Sequence, residues 1–141
     1  MAAKRARGRR VRYEHTEQAI FVGRVRGLHP DVVIAAVPNG VKTSRAGAVR
    51  LKAEGVLKGF PDLIIAEPRG IFCGLYIEMK RTEKSRTSKE QRDVLDRLAK
   101  KGYAVAVTYG ADAAWRVWLA YYALGSHDSR AKRPLDLALL G

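Results

Sequence analysis

The sequence predicts an α/β fold, and three observations lead to that class. Apolar runs of strand length, such as Val32 to Val37 and Leu63 to Ile65, alternate with segments of helical periodicity. Gly and Pro residues, which favour turns and loops, lie between these segments. The chain has 141 residues, 47% hydrophobic and 29% charged, which suffices for one domain with a core of its own. The predicted order is helix, strand, strand, strand, helix, strand, helix.

The first predicted helix begins near Tyr13 and ends near Gly27, because an apolar stripe recurs there at helical spacing. The stripe consists of Ile20, Phe21, Val25 and Leu28. Glu17 lies on its edge, one turn before Phe21. An acid in a first helical turn is favoured by the helix dipole alone. Such an acid ordinarily points outward, however, whereas Glu17 shares the inward-facing stripe.

The strand Val32 to Val37 ends at the turn Pro38-Asn39-Gly40, and a basic segment of weak periodicity follows over residues 41–58. We predict a loop there, with one helical turn around Ala48 to Ala53. The segment is either a substrate-binding loop or a mobile insertion. Its candidate contacts to nucleic acid are Arg45, Arg50, Lys52 and Lys58.

A hairpin supplies the candidate site. Asp62 opens one strand, directly after Gly59-Phe60-Pro61, and the turn Pro68-Arg69-Gly70 leads into a second run that alternates through Lys80. The apolar face of this run carries Ile71, Cys73, Leu75, Ile77 and Met79. On the opposite face Glu78 and Lys80 point the same way. Asp62 can reach the same end of the sheet.

Two carboxylates and an ammonium group at one strand end are costly unless something uses them, because neighbouring carboxylates repel each other. Mg²⁺ suits such a pair, since it binds hard oxygen ligands and keeps several waters. A lysine beside that site can orient an attacking water or neutralise a phosphate oxygen. The alternative is a hairpin whose polar face is simply wet. These residues alone leave both interpretations open.

The residues after Lys80 are predicted to form a loop, a helix and a strand. The candidate nucleic-acid contacts of the loop, residues 81–87, are Arg81, Lys84 and Arg86. Ser88 to Gln91 forms a capping box, which starts a helix that stops at Gly102. Gln91 is therefore either a helix cap or a residue of the site. Tyr103 to Tyr109 then alternates as a strand.

The last predicted helix, Ala111 to Leu124, is rich in aromatic side chains: Trp115, Trp118, Tyr121 and Tyr122. These residues close the core of one chain, or they supply spare apolar surface for a homodimer. The short apolar piece Leu135 to Leu140 has no evident partner in the chain. We divide the chain into a basic arm at residues 1–12, a domain at residues 13–124 and a tail at residues 125–141.

The charge balance points to an anionic partner. The formal net charge is +13, which favours nucleic acid. Residues 1–12 contain no acid, so the arm is a solvated tail or, as we expect, a non-specific phosphate contact. The contacts that we expect from the arm are Arg5, Arg7, Arg9 and Arg10.

The remaining composition excludes several classes of site. Cys73 is the single cysteine, which rules out a disulfide within the chain and a cysteine-ligated zinc site. The three histidines match no metal-binding spacing. We find neither a signal peptide nor an apolar run long enough to span a membrane, so we expect an intracellular protein.

Taken in order, these motifs resemble the VRR-NUC family of the PD-(D/E)xK nuclease superfamily. Pro61-Asp62 is followed, after fifteen residues, by Glu78-Met79-Lys80. Glu17 lies on the first helix, and Ser88 to Gln91 precedes the strand at Tyr103. The turn Pro38-Asn39-Gly40 and the segment Gly59-Phe60-Pro61-Asp62-Leu63 also match. Each motif alone is weak evidence for the family, whereas the ordered set is specific for it. The resemblance spans roughly residues 13–122. The chain departs from a minimal member of the family in three places: the long segment 41–58, the basic arm and the tail.

The resemblance implies a mixed central sheet flanked by helices, with a restriction-endonuclease-like core and a phosphodiesterase site that requires Mg²⁺ or Mn²⁺. It assigns the metal to Asp62, Glu78 and the Met79 carbonyl, with Glu17 acting directly or through water. Lys80 would position or help to deprotonate the attacking water, and Gln91 would orient Lys80 or that water.

Small members of the family are typically viral or bacterial homodimers related to junction-cleaving nucleases. We therefore expect a homodimer that cuts branched DNA, for example a Holliday junction, in the cytoplasm of a bacterial or phage-infected cell. The alternative is a basic nucleic-acid-binding module whose nuclease-like site is not catalytic. The complete set of Asp62, Glu78 and Lys80 argues against that alternative, because a decayed site has no reason to keep all three.

Overall fold

A computed structural model describes residues 16–38, 42–128 and 130. The basic arm, the apolar piece Leu135 to Leu140 and the turn residues Asn39 and Gly40 lie outside the described residues. Within the described ranges the chain forms four strands and four helices. None of these helices is long and apolar enough to cross a membrane.

The elements alternate along the chain as the sequence predicts, with one helix added. Helix α1 spans residues 16–28. After it come β1 (Ile34–Ala36), α2 (Arg45–Ala53), β2 (Leu63–Ile65), β3 (Leu75–Lys80), α3 (Lys89–Lys100), β4 (Ala104–Tyr109) and α4 (Gly110–Tyr122). The predicted α/β class and the mixed central sheet flanked by helices are confirmed.

The strands lie side by side in chain order, β1-β2-β3-β4. β1 pairs with β2 and β2 with β3 in antiparallel fashion, so the predicted hairpin forms. β4 pairs with β3 in parallel, from Leu75 opposite Ala104 to Lys80 opposite Tyr109. A parallel pair needs a crossover connection, which α3 supplies. Because α3 starts just after the end of β3, its first turn lies near the residues that close β3.

The two faces of the sheet are covered by different helices. On one face, Leu63, Ile65, Leu75 and Ile77 are fully buried in one core with Phe21 and Val25 of α1 and Trp118 of α4. The opposite face carries Tyr76 and Glu78, and α3 buries Val94 and Leu95. Glu78 is only 3% exposed. The interpretation of a wet polar face is therefore wrong, because α3 packs over that face.

The aromatic residues of α4 close the core of this chain. Trp118 and Tyr121 are fully buried, and His29 meets the Trp118 ring edge-on with centroids 5.4 Å apart. Trp115 and Tyr122 are half-buried against the same core. The prediction of spare apolar surface is thus wrong for Trp118 and Tyr121.

Three further predictions need correction. The segment 41–58 is not mainly a loop, since α2 extends over nine residues. Because no residue of α2 is buried, the helix has no apolar periodicity that could reveal it in the sequence. Its N-terminus is capped by the Ser44 hydroxyl, which accepts a hydrogen bond from the Gly47 amide at 3.1 Å.

Cys73 is exposed rather than on a buried face, because β3 begins only at Leu75. Among the predicted stripe of α1, Ile20 and Leu28 are exposed.

Candidate active site

Asp62 is fixed between two neighbouring strands. Its backbone carbonyl accepts a hydrogen bond from the Val37 amide at 2.8 Å, next to the end of β1. Its carboxylate Oδ2 accepts one from the Met79 amide, also at 2.8 Å, where β2 no longer reaches β3. The preceding Pro61 is buried and has no amide hydrogen to donate. The Asp62 carboxylate thus accepts the Met79 amide hydrogen just beyond the end of the β2–β3 pairing.

Glu78 and Lys80 form an ion pair on the face of β3 that α3 covers, as strand alternation predicts. The Lys80 Nζ lies 3.0 Å from Glu78 Oε1, and both side chains are largely buried. Glu78 Oε2 is buried and makes no hydrogen bond among the described residues. Burial first, and then the nearby Asp62 carboxylate, raises the pKa of Glu78 to about 7, while Lys80 opposes the shift.

Gln91 joins the helix cap to the site. Its Oε1 accepts hydrogen bonds from the Ser88 amide at 2.9 Å and from Lys80 Nζ at 2.8 Å. Both partners can only donate, which fixes the orientation of the amide. Its Nε2 donates to Glu78 Oε1 at 2.6 Å. The sequence left open whether Gln91 is a cap or a site residue, and the structure gives it both sets of contacts.

The segment before Asp62 is packed onto the first turn of α3. Gly59 has a φ of +84°, which favours glycine, and a Cβ at that position would lie 2.5 Å from the backbone carbon of Glu90. Lys58 Nζ lies 3.3 Å from Glu90 Oε1. Only the Gly-Phe-Pro segment hinted at this packing in the sequence. This contact holds the loop that leads to Asp62 against the helix that carries Gln91.

Glu17 contacts the first turn of α4, which begins where β4 ends opposite Lys80, so it lies at the same end of the sheet as the site. Its Oε2 accepts a hydrogen bond from the Ala111 amide at 2.6 Å. Gly110, with a φ of +80°, leaves room for the carboxylate, since a Cβ there would lie 3.3 Å from Oε2. An anion is favoured at a helix N-terminus, where amides are unpaired. The inward direction of Glu17 thus has a structural cause, and its role as a metal ligand, direct or through water, stays a prediction.

The residues present fit a small divalent cation. Glu78 Oε2 is an acceptor without a donor, in a place where Asp62 adds a second carboxylate. Mg²⁺ is commonly held by one or two carboxylates together with waters. The described residues contain no group of three or more His, Cys, Asp and Glu side chains that could hold a metal ion. As the described residues are arranged, a cation at this site would therefore be held by two carboxylates at most, those of Asp62 and Glu78, with backbone oxygens or waters completing its coordination.

A cleft of about 840 Å³ opens beside the site, and the sequence did not predict it. Asp62 and Gln91 line it, together with α2 and residues 55–60. Of the predicted nucleic-acid contacts, Lys52 and Lys58 line this cleft, and Arg45 and Arg50 are exposed on α2. Lys84 and Arg86 are exposed, and Arg81 half-buried, in the loop after β3. The predicted arm contacts, Arg5, Arg7, Arg9 and Arg10, lie outside the described residues.

Comparisons with known proteins agree with this arrangement. A family model of the VRR-NUC domain matches residues 14–112, a range that contains Glu17, Asp62, Glu78, Lys80 and Gln91. A solved structure described as a VRR_NUC domain protein superposes with a TM-score of 0.74. It is 29% identical, over 86% of this chain and 97% of its own. No curated protein matches the chain. The resemblance drawn from the motifs is confirmed.

The raised pKa of Glu78 predicts a pH dependence of stability. The folded chain holds the Glu78 proton more tightly than the unfolded chain, whose pKa is near 4.5. The stabilisation is fully present below that value, so the free energy of unfolding should fall as the pH rises from about 4.5 to about 7. Glu78→Gln should remove this decline, as measured by urea unfolding in EDTA at several pH values across the window.

The matched control is Glu83→Gln, which neutralises an exposed carboxylate in the loop after β3. Glu83→Gln should keep the decline of the wild-type protein. If Glu78→Gln kept it as well, the burial of Glu78 would not be its source.

Proposed function

The chain belongs to the VRR-NUC family, and from that premise we propose that it is a metal-dependent deoxyribonuclease that hydrolyses phosphodiester bonds. The observation that carries the proposal is the buried Glu78 Oε2. It has no hydrogen-bond donor among the described residues, in a site that also holds Asp62 and Lys80. A carboxylate oxygen buried in this way is costly unless a cation or a proton occupies it.

Asp62, Glu78 and the Met79 carbonyl would hold the cation, Mg²⁺ or Mn²⁺, with Glu17 acting directly or through water. When bound, the cation supplies a Lewis acid that lowers the pKa of a bound water and neutralises charge on the phosphate. Asp62 is held in place by its bond to the Met79 amide, so the two carboxylates keep their spacing before substrate arrives. Such preorganisation favours the charge distribution of the transition state.

Lys80 and Gln91 would act on the water and the phosphate. The ammonium group has three hydrogens, and its contacts to Glu78 and Gln91 use two of them. The third would be donated to the attacking water or to a phosphate oxygen. Gln91 holds Lys80 at one end of its amide and Glu78 at the other. It would therefore be a positioning residue, acting through these two groups.

The proposed substrate is DNA, and specifically branched or junction DNA such as a Holliday junction. The net charge of +13 supports a polyanion as partner. Lys52 and Lys58 line the adjacent cleft, and Arg81 follows Lys80 directly. Contacts of this kind to phosphate give affinity without reading sequence, so discrimination would rest on the shape of the DNA.

A second candidate function is a nucleic-acid-binding module whose site is structural. One observation favours it: Lys80 already compensates part of the charge of Glu78, and Gln91 satisfies Glu78 Oε1. The unpartnered Oε2 weighs against it, because a purely structural ion pair leaves this buried acceptor unsatisfied unless Glu78 holds a proton.

The nuclease proposal predicts cleavage of branched DNA with Mg²⁺ or Mn²⁺ and none with EDTA. Asp62→Ala and Glu78→Gln should abolish cleavage but leave DNA binding largely intact. Lys80→Ala should lower the rate by about 10²-fold or more, because a positioned proton donor is lost. Gel assays over several DNA shapes measure these rates.

Lys100→Ala, on the exposed far end of α3, is the control and should cleave at the wild-type rate. A wild-type protein that binds DNA but cuts none of these shapes with either metal would support the structural alternative.

A pair of substitutions separates the two roles of Gln91. Ser88→Ala removes the hydroxyl that caps α3 but leaves the contacts of Gln91 to Lys80 and Glu78 in place. It should cost about 1 kcal/mol of stability and change the cleavage rate little. Gln91→Ala should lower the cleavage rate strongly at a similar cost in stability. Equal rates for the two variants, measured beside urea unfolding, would mean that Gln91 acts only as a cap.

We also propose a homodimer, because one site per chain cuts one strand and a two-fold protein suits a symmetric junction. The described structure offers exposed Ile20 and Leu28 on α1 and Leu119 on α4, and a 2.9 Å bond from Arg24 to Asp112 joins these two helices. Sedimentation equilibrium should give twice the chain mass of 15.6 kDa. Leu28→Asp should reduce the mass to one chain, whereas the control Val49→Asp should not. A wild-type mass near 15.6 kDa would contradict the dimer.

A further inference from the structure

The cleft beside the site combines apolar walls with a basic rim. Leu51 of α2 and Val56, Leu57 and Phe60 of the following segment line it, and Lys52 and Lys58 provide positive charge. Val56 and Leu57 remain 50% and 44% exposed. Apolar side chains left open to water around a concave surface indicate a place for a ligand. Pockets of this size hold small organic ligands.

The cleft is continuous with the proposed catalytic site. Asp62 and Gln91 belong to its lining, and Gln91 contacts both Lys80 and Glu78. A ligand in the cleft therefore lies next to the groups that would act on a phosphate. The Phe60 ring contacts the Tyr76 ring edge-on at a centroid distance of 5.6 Å, and Tyr76 contacts Tyr103 in the same way at 5.2 Å. The aromatic wall is thus held by other rings rather than loosely exposed.

We propose that this cleft receives one unpaired nucleobase of the DNA, adjacent to the phosphate that is cut. The apolar wall suits the flat face of a base, and the two lysines suit the phosphates on either side of it. A base within a duplex is both paired and stacked, whereas an unpaired base at a branch has no base pair to lose, so its entry into the cleft costs less. The proposal rests on the nuclease function proposed above and specifies its substrate as DNA with an unpaired nucleotide beside the scissile bond.

The test uses the full chain and branched oligonucleotides with 2-aminopurine at each position around the branch, in EDTA so that no cleavage occurs. At one position the fluorescence should rise on binding, because the probe leaves its stacked neighbours for the cleft. Leu57→Ser should abolish this rise. Val49→Ser is the matched control: Val49 is 66% exposed on α2 and does not line the cleft, so the rise should persist. Because both residues are exposed, both variants should fold.

A second measurement uses an abasic residue at the responsive position. It should weaken binding to the wild-type protein by about tenfold, the scale of one stacked base, and should not weaken binding to Leu57→Ser further. If no position responds, or if Leu57→Ser and Val49→Ser behave alike, the cleft does not hold a base.

The two proposals can fail separately. Cleavage with Mg²⁺ but no responsive position would overturn the base-binding cleft and leave the nuclease. A responsive position that Leu57→Ser abolishes, without cleavage under any metal, would overturn the nuclease and leave the cleft as a binding site for unpaired DNA.

Discussion

The packing of α3 against β3 depends on the groups that compensate the negative charge of one buried carboxylate, that of Glu78. Glu78 is 3% exposed near the end of β3, where a buried charge without partners would cost several kcal/mol. Lys80 and Gln91 compensate Oε1, and this requires the first turn of α3 to lie over the end of β3. Gly59 permits that approach, because any side chain at its position would collide with the backbone of Glu90. The need to compensate the Glu78 charge thus determines how β3, α3 and the loop before Asp62 are placed relative to one another.

The features that the sequence revealed are those whose causes are local. Strand alternation placed Glu78 beside Lys80, and the S-x-x-Q pattern located the start of α3. The features that it missed depend on distant partners. α2 has no buried residue and therefore no periodic signature, and Trp118 meets His29 across a long sequence separation. The cleft also escaped prediction, because its walls come from separate segments and only Val56-Leu57, apolar within a basic stretch, gave a local hint.

Glu17 shows why residue type and direction do not by themselves assign a role. Its inward orientation marked it as a candidate ligand, yet its carboxylate accepts the Ala111 amide at the start of α4. The N-cap residue of α4, Tyr109, makes no side-chain hydrogen bond there, so Glu17 supplies the missing acceptor from another helix. The bond from Arg24 to Asp112 joins the same two helices. One carboxylate oxygen of Glu17 is thereby engaged, and a ligand role would rest on the other or on a bridging water.

The site and the cleft differ in how firmly the fold holds them, and this difference suits their proposed tasks. Asp62, Glu78, Lys80 and Gln91 are linked by hydrogen bonds to β3 and to the capped start of α3. The cleft wall formed by α2 instead depends on a nine-residue helix without a buried side chain, and isolated helices of that length are marginal. Chemistry on a phosphate requires fixed groups, whereas DNA branches vary in shape. A firmly held strand with the proposed catalytic groups, beside a wall without buried side chains, would meet both requirements, because substrate contacts could stabilise the wall without disturbing the carboxylates.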